Sequence, residues 1–213
     1  MTLALVPVKA LSAAKTRLVA HLDRPRVERL SIAMMGDVLE ALQGVEALRE
    51  IAVVTPDSEV ARAAASHGAR PLLRDDPGLN ASIEAACREL APSPDASALV
   101  VLGDVAAATS RELAQLIGAL SGPGVALAPS ADGGSSALLR TPFDAIPARF
   151  GPDSAKRHRD EAQRAALPYR ELSLPGLALD IDVAEDLVRA AASPSLGPRT
   201  RTLLAEFGAR VAT

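Results

Sequence analysis

Short runs of apolar residues alternate along the chain with longer segments whose apolar residues recur every three or four positions. The short runs predict buried strands, and the longer segments predict amphipathic helices. The predicted strands cover residues 2–8, 51–55, 70–73, 98–102, 125–129, 136–140, 169–174 and 177–181. The predicted helices cover residues 26–43, 57–67, 80–90, 109–120, 153–166, 183–192 and 199–207.

Strand and helix alternate without interruption up to residue 129. This order favours a mostly parallel sheet that is covered by helices on both faces. Neither a repeat nor a long linker divides the chain. The sequence therefore predicts a single α/β domain over residues 1–213, with a three-layer, Rossmann-like architecture.

The composition limits the classes of function. Aromatic residues make up 2% of the chain and the net charge is −3, which argues against nucleic-acid and membrane partners. Cys87 is the single cysteine, so an intrachain disulfide and a multi-cysteine zinc site are excluded. The apolar N-terminal run is too short for a signal peptide or a membrane span, and we expect a cytoplasmic protein.

The first strand leads into a loop that contains three cations, Lys9, Lys15 and Arg17. Ligands of open α/β sheets bind outside the carboxyl ends of the strands, where this loop would lie. Lysine and arginine suit phosphate oxygens, so a nucleoside triphosphate is the natural ligand. The alternative is a solvated loop with scattered basic residues.

Three aspartates follow predicted strands. Asp104 comes after the most apolar run, and Asp180 and Asp182 end the run at 177–181. Residues two apart in an extended segment point to the same side, so the three carboxylates could converge on Mg²⁺, which prefers oxygen ligands. Alternatively, Asp182 caps the following helix and Asp180 is a turn residue.

Two segments are candidate anion sites. The Asp132–Ser136 segment contains two glycines, which leave backbone N–H groups free, and two hydroxyls; an ordinary hairpin turn is the alternative. Gly151–Ser154 opens a helix whose N–H groups could bind an anion, or Asp153 or Ser154 merely caps it. Asn80 could contact a base or cap its helix. The three histidines have no metal-binding spacing, and we expect surface or helix-end positions for them.

Several motifs occur together in one order along nearly the whole chain. They are Val6-Pro7-Val8-Lys9, Lys15-Thr16-Arg17-Leu18, Val53-Val54-Thr55-Pro56-Asp57, Gly78-Leu79-Asn80, Asp104, Arg149-Phe150-Gly151-Pro152-Asp153-Ser154 and Pro175-Gly176-Leu177-Ala178-Leu179-Asp180-Ile181-Asp182. Together they resemble the 2-phospho-L-lactate or phosphoenolpyruvate guanylyltransferases of coenzyme F420 biosynthesis. The resemblance implies a MobA-like nucleotidyltransferase fold, GTP as co-substrate, Mg²⁺, and a phosphorylated three-carbon acid as acceptor.

The resemblance also implies roles for individual residues. It assigns the metal to Asp104, Asp180 and Asp182, and the carboxylate of the acid to Ser136, Gly151 and Ser154. We assign GTP binding to Lys9, Lys15, Arg17, Thr55 and Asn80, and we expect Lys9, Lys15, Arg17 and Asp104 to be the catalytic groups.

Two segments depart from the family pattern. Leu102-Gly103-Asp104-Val105-Ala106 stands where the family has Pro-Ala-Asp-Leu-Pro, and Asp132-Gly133-Gly134-Ser135-Ser136-Ala137 replaces Asp-Gly-Thr-Gly-Thr-Asn. Two other functions therefore remain open. One is a nucleotidyltransferase for 3-phosphoglycerate, a sugar phosphate or the molybdenum cofactor, and the other is a nucleotide-binding module without turnover. The sequence does not decide between a monomer and a homodimer.

Overall fold

The computed structural model describes residues 1–208, so the last five residues of the predicted domain lie outside the described residues. One seven-stranded sheet forms the centre of the described chain, with the strand order β3-β2-β1-β4-β6-β5-β7. The strands are β1 (Thr2–Pro7), β2 (Leu48–Thr55), β3 (Arg70–Leu73), β4 (Ser97–Val101), β5 (Gly124–Pro129), β6 (Ser135–Thr141) and β7 (Tyr169–Glu171).

The helices follow the predicted pattern to within a few residues. They are α1 (Arg24–Gln43), α2 (Ser58–Ser66), α3 (Leu79–Leu90), α4 (Ser110–Gly118), α5 (Ser154–Arg164), α6 (Ala184–Ala192) and α7 (Pro198–Phe207). Two short 3₁₀ helices, Leu11–Ala13 and Thr16–Ala20, lie in the loop after β1. They shape the segment that carries the three predicted cations.

The predicted mostly parallel sheet is confirmed. Strand β6 is antiparallel to its neighbours β4 and β5, and the other pairs of adjacent strands are parallel. Strands β2 and β3 extend the sheet on one side of β1, and β4 then pairs with the other side of β1. This makes the carboxyl ends of β1 and β4 the topological switch point, where open α/β sheets bind their ligands.

Alternating side chains of the strands pack against two separate helical layers. Ala4 and Val6 of β1 lie in a cluster with apolar residues of α1, α2 and α4. Leu3 and Leu5 lie in a second cluster with residues of α3 and α5 on the opposite face. Because side chains along a strand point alternately to its two faces, β1 is apolar throughout, and the three-layer α/β architecture is confirmed.

The strand predicted over residues 177–181 is wrong. The segment forms a turn and an irregular stretch, in which the Ala178 N–H donates to the Leu174 carbonyl at 2.9 Å. Leu177 and Ile181 are buried. The segment is therefore apolar like a strand, although it forms no hydrogen bonds of a sheet ladder. The strand predicted over 169–174 is shortened to the three residues of β7 for a similar reason, since the chain turns away at Pro175.

No helix among residues 1–208 has both the length and the hydrophobicity needed to cross a membrane.

The N-terminus of α7 is capped by a carboxylate from α1. The side chain of Asp37 is 1% exposed and accepts the Arg199 and Thr200 N–H groups at 3.1 and 2.8 Å. Gly197 lies so close that a Cβ at this position would overlap Asp37. These contacts fix the C-terminal helix on the helical layer of α1.

We expect Asp37→Ala to lower the free energy of unfolding by about 1–3 kcal/mol, because it leaves two buried N–H groups without an acceptor. Glu40→Ala is the matched control. It removes an exposed carboxylate that pairs with Arg199 one turn further along α1, and a surface pair contributes at most about 1 kcal/mol. Urea unfolding followed by circular dichroism measures both, and equal losses would contradict the capping role.

Candidate active site

The loop after β1, residues 8–18, is held from two sides. Asp57 accepts the Leu11 N–H at 2.9 Å. Arg24, the first residue of α1, donates to the carbonyl oxygens of Leu11 and Ala14 at 3.2 and 2.8 Å. Burial opposes the charge of Asp57, but its backbone hydrogen bonds keep the pKa of that carboxyl below its ordinary value. The sequence analysis missed Arg24, because nothing in the sequence shows which loop carbonyls an arginine will contact.

Within this loop, Lys15 places its ammonium group between two carboxylates. Lys15 Nζ pairs with Asp104 Oδ2 and lies 2.5 Å from Asp182 Oδ1. The lysine side chain is only 10% exposed. Burial disfavours its charge, but the two carboxylates outweigh this effect and raise the pKa of Lys15 above its ordinary value. Lys15 is therefore a cation at neutral pH and links the carboxyl end of β4 to the segment before α6.

A third carboxylate, that of Asp180, lies close to this pair. Burial, together with the negative charge of Asp104 and smaller effects from Asp132 and Asp182, raises the pKa of Asp180 to about 6. The three predicted metal ligands thus lie within electrostatic range of one another, and their assignment to a metal stays a prediction. Neighbouring carboxylates of this kind disfavour one another's ionisation and attract cations.

The alternative role of Asp182 as a helix cap is wrong. Val183 occupies the cap position of α6, and Asp186 in the first turn accepts the N–H groups of Asp182 and Val183 at 2.8 and 2.9 Å. The carboxylate of Asp182 is therefore left to face Lys15.

The carboxylates do not form a complete metal site by themselves. Among residues 1–208, no three His, Cys, Asp or Glu side chains are arranged to hold a metal ion. Asp104 Oδ1 is nevertheless buried without a hydrogen-bond partner, which is costly for a carboxylate. Mg²⁺ commonly takes one or two carboxylates and completes its shell with water and substrate phosphates. The donor set around Asp104 fits an ion held in that way.

A cleft of about 260 Å³ lies beside the loop, between the carboxyl ends of β1 and β2 and the start of α3. Its lining includes Lys9, Thr55 and Gly78, together with the carboxylate residues Asp75 and Asp76. Neither aspartate was assigned a binding role from the sequence. The cleft combines a cation, backbone groups and carboxylates, which suits a polar heterocycle with an attached phosphate chain.

The residues assigned to GTP are not all at this cleft. Within the described part of the chain, Lys9 and Thr55 line it, whereas Lys15, Arg17 and Asn80 do not. Arg17 is exposed on the second 3₁₀ helix. Asn80 neither caps α3 nor lies free, because its amide donates to the Phe150 carbonyl at 3.1 Å and accepts the Phe150 N–H at 2.8 Å. Its assignment to GTP stays a prediction.

The glycine turn connects β5 and β6 as a hairpin, and it lies against the start of α5. The Ala155 N–H donates to the Gly133 carbonyl at 3.2 Å, and the Ser136 carbonyl accepts the Leu102 N–H at 3.0 Å, two residues before Asp104. The hydroxyls of Ser136 and Ser154 are both buried, and neither has a hydrogen-bond partner. Both hydroxyls therefore lie beneath the surface with unused hydrogen-bonding capacity.

The capping alternative for Asp153 and Ser154 is not borne out. Asp153 occupies the cap position of α5 without a side-chain hydrogen bond to the helix, and the Ser154 hydroxyl is unpartnered. Gly151 has a φ of 119°, a region that favours glycine because a Cβ is strained there. At the start of α5 the Ser154 and Ala155 N–H groups donate to the Gly151 and Gly133 carbonyls at 3.1 and 3.2 Å, whereas the Ser154 hydroxyl has no partner.

The expectation of surface or helix-end positions for the histidines is wrong for His158. Its side chain is completely buried, because α5 turns that face toward β6. His158 Nδ1 lies 2.9 Å from Ser135 Oγ, and Nε2 accepts the Arg149 N–H at 2.9 Å. Both partners are separated from His158 in the sequence, so no local motif indicates them.

Solved structures of low sequence identity share this fold. A protein described as a nucleotide-diphospho-sugar transferase from Desulfovibrio desulfuricans superposes with a TM-score of 0.77 at 18% identity, covering 99% of this chain and 96% of that one. The CMP:2-keto-3-deoxy-manno-octonic acid synthetase superposes with a TM-score of 0.61 at 13% identity, covering 97% of this chain and 99% of that one. The chain therefore shares its fold with these two proteins.

The chain belongs to the family of CofC-like guanylyl transferases, whose model matches residues 2–209. The phosphoenolpyruvate guanylyltransferase of Sphaerobacter thermophilus is 38% identical over 197 residues, which are 92% of this chain and 95% of that protein. The 3-phospho-D-glycerate guanylyltransferase of Colwellia psychrerythraea is 32% identical over 183 residues, 85% of this chain and 87% of that protein. The resemblance noted in the sequence is thereby confirmed.

We expect Lys15→Met to lower the free energy of unfolding by about 1–3 kcal/mol in the absence of divalent cations. The substitution leaves Asp104 and Asp182 without their counter-ion, although their partial exposure reduces the cost below that of a fully buried pair. Lys9→Met is the control, because Lys9 is exposed. If the two variants unfolded at the same urea concentration, the ion pairs of Lys15 would contribute nothing to stability.

Proposed function

We propose that this enzyme transfers GMP from GTP to a phosphorylated three-carbon acid, with release of pyrophosphate. The observation that carries the proposal is the position of the Lys15–Asp104–Asp182 group. It stands at the switch point of the sheet, with the cleft on one side and the unpartnered hydroxyls of Ser136 and Ser154 on the other. Two substrates can therefore meet at one charged centre.

The cleft is the proposed site of the guanosine part of GTP. The carboxylates of Asp75 and Asp76 line it, and a carboxylate can accept hydrogen bonds from both the ring N–H and the exocyclic amine of guanine. Adenine does not present those two donors side by side. Lys9 also lines the cleft and belongs to the loop that carries Lys15 and Arg17, and we assign these three cations to the triphosphate and the departing pyrophosphate.

Asp104, Asp180 and Asp182 are the proposed ligands of Mg²⁺. Bound there together with the phosphates, the ion would supply positive charge that offsets the charge building up in the transition state. Two observations support this assignment: Asp104 Oδ1 has no hydrogen-bond partner although Oδ2 pairs with Lys15, and burial with neighbouring carboxylates raises the pKa of Asp180.

The acceptor is proposed to bind through its carboxylate to Ser136, Ser154 and the backbone at Gly151. Neutral hydroxyl and N–H donors can orient a carboxylate without adding a charge near the phosphates. The phosphate oxygen of the acid then attacks the α-phosphorus of GTP, and the bond to pyrophosphate breaks. This phosphate is already ionised at pH 7, so no side chain has to remove a proton, and catalysis consists of positioning and electrostatic stabilisation.

Phosphoenolpyruvate and 2-phospho-L-lactate are the first candidate acids, which would place the enzyme in coenzyme F420 biosynthesis. The name of the Sphaerobacter relative supports phosphoenolpyruvate. A second candidate is 3-phosphoglycerate, which the Colwellia relative favours. The departure at Ala137 does not decide between them by contact, because this side chain is fully buried in the core on the face of α1 and α4.

We expect pyrophosphate release when GTP, Mg²⁺ and one of the three acids are combined with the enzyme. ATP and CTP should give at most about a tenth of that rate, because they lack the paired donors of guanine. Asp104→Asn should reduce turnover at least about a hundredfold with the fold retained, since it removes charge at almost constant shape. A coupled pyrophosphate assay measures all combinations. Absence of release with every acid would refute the proposed reaction.

Ser154→Ala tests the acceptor site. We expect the KM of the acid to rise about tenfold or more, as for the loss of one hydrogen bond to a charged group, while the KM of GTP changes less than twofold. The thermal midpoint should not fall, because the substitution removes an unpartnered buried hydroxyl. Ser66→Ala on α2 is the remote control. An equal effect on both substrates would make Ser154 structural and place the acid elsewhere.

A further inference from the structure

His158 lies at the point where the three parts of the proposed acceptor site meet. It follows Ser154 by four residues on α5, so the two side chains share one face of that helix. Its ring lies 2.9 Å from Ser135 Oγ, next to Ser136, and 2.9 Å from the Arg149 nitrogen, two residues before Gly151. One buried side chain therefore connects the glycine turn, the loop before α5, and α5 itself.

The hydrogen bonds determine the form of the ring. The partner of Nε2 is a backbone N–H, which can only donate, so Nε2 accepts and the proton resides on Nδ1, which donates to Ser135 Oγ. Burial is the main cause that lowers the pKa of His158 to about 4. The nearby charges of Arg140, Arg157 and Arg149 also lower this pKa, whereas the charge of Glu161 raises it. The imidazole is neutral at physiological pH, and both nitrogens are occupied.

These contacts exclude a role as acid or base. A ring without a free nitrogen and without exposure to solvent cannot take or give a proton at the reacting phosphate. Its edge also packs on the Phe150 ring, with centroids 5.1 Å apart and planes inclined by 71°. The Phe150 backbone is held on its other side by Asn80. The loop before Gly151 is thus fixed by two side chains from different elements.

We propose that His158 is a positioning residue for the acceptor, which sets the distance between the Ser136 hydroxyl and the donors at Gly151 and Ser154. This inference rests on the proposed function, because it assumes that these groups bind the acid. A carboxylate must meet all of its donors at once, so a small displacement of one segment weakens its binding. The nucleotide cleft shares no residue with this connection and should be unaffected.

The test compares His158→Phe and His158→Gln with wild type in steady-state kinetics, with phosphoenolpyruvate as the varied acid. His158→Phe keeps a planar ring but loses both hydrogen bonds, and we expect at least a tenfold rise in the KM of the acid with less than a twofold change for GTP. His158→Gln keeps an oxygen that can accept the Arg149 N–H, and it should recover part of the loss. His67→Gln, at the distant end of α2, is the control.

A merely structural histidine would give a different pattern. Equal rises in the KM of GTP and of the acid, or a loss of kcat alone, would overturn the proposal, as would unchanged constants in both variants. If His158→Phe did not fold, His158→Gln alone would be compared with wild type. For this variant we expect a smaller rise, about threefold, in the KM of the acid. The thermal midpoint of each variant reports on folding.

Amide hydrogen exchange separates this inference from the proposed function. Both variants should exchange faster than wild type over residues 149–155, with no change over residues 8–18. If wild type used none of the acids, the proposed function would fail while the exchange pattern still tested His158. Unchanged exchange over 149–155 would overturn the positioning role whatever the substrate.

Discussion

Lys15 and the two carboxylates it contacts are the constraint on which the site depends. The lysine belongs to the loop after β1, Asp104 follows β4, and Asp182 precedes α6. Adjacent parallel strands bring the first two together, because their carboxyl ends share one edge of the sheet. The buried charge is that of Lys15, which is 10% exposed. A buried ammonium group without a counter-charge is unfavourable, so its ion pairs hold the segment before α6 near the sheet without any β-ladder.

The antiparallel direction of β6 determines where the glycine turn lies. If β6 ran parallel to β4, its first residues would lie at the opposite edge of the sheet. Its reversed direction instead places the glycine turn and Ser136 beside the residues that precede Asp104. The same turn then contacts the start of α5. The arrangement puts neutral donors on one side of the carboxylates and the cation-containing loop and cleft on the other.

Similarity of fold and similarity of sequence establish different things about this protein. Enzymes with 13% and 18% identity share the architecture over almost the whole chain, which shows that many sequences can build this sheet. Fold alone does not define an activity. The family assignment rests on much more similar relatives and on a family model that matches residues 2–209.

Most of the fold was predictable from the sequence, because burial on both faces makes parallel strands continuously apolar and leaves helices with a clear period. The segment at 177–181 shows the limit of that argument. Leu177 and Ile181 are apolar because they are buried, and burial alone does not distinguish a strand from a packed loop. The reversed direction of β6 could not be predicted either, because residues 136–140 have an apolar pattern like that of the other strands.

The sequence by itself determined the fold class, the family, and the segments that carry the candidate chemistry. Those features are local, because they depend on residue types within a few positions of each other. The tertiary structure alone decided which side chains are engaged and which are free. Asn80 is paired with Phe150, 70 residues away, and His158 is buried between two other segments. Such partners are chosen by the packing of distant elements, and the sequence contains no local signal for them.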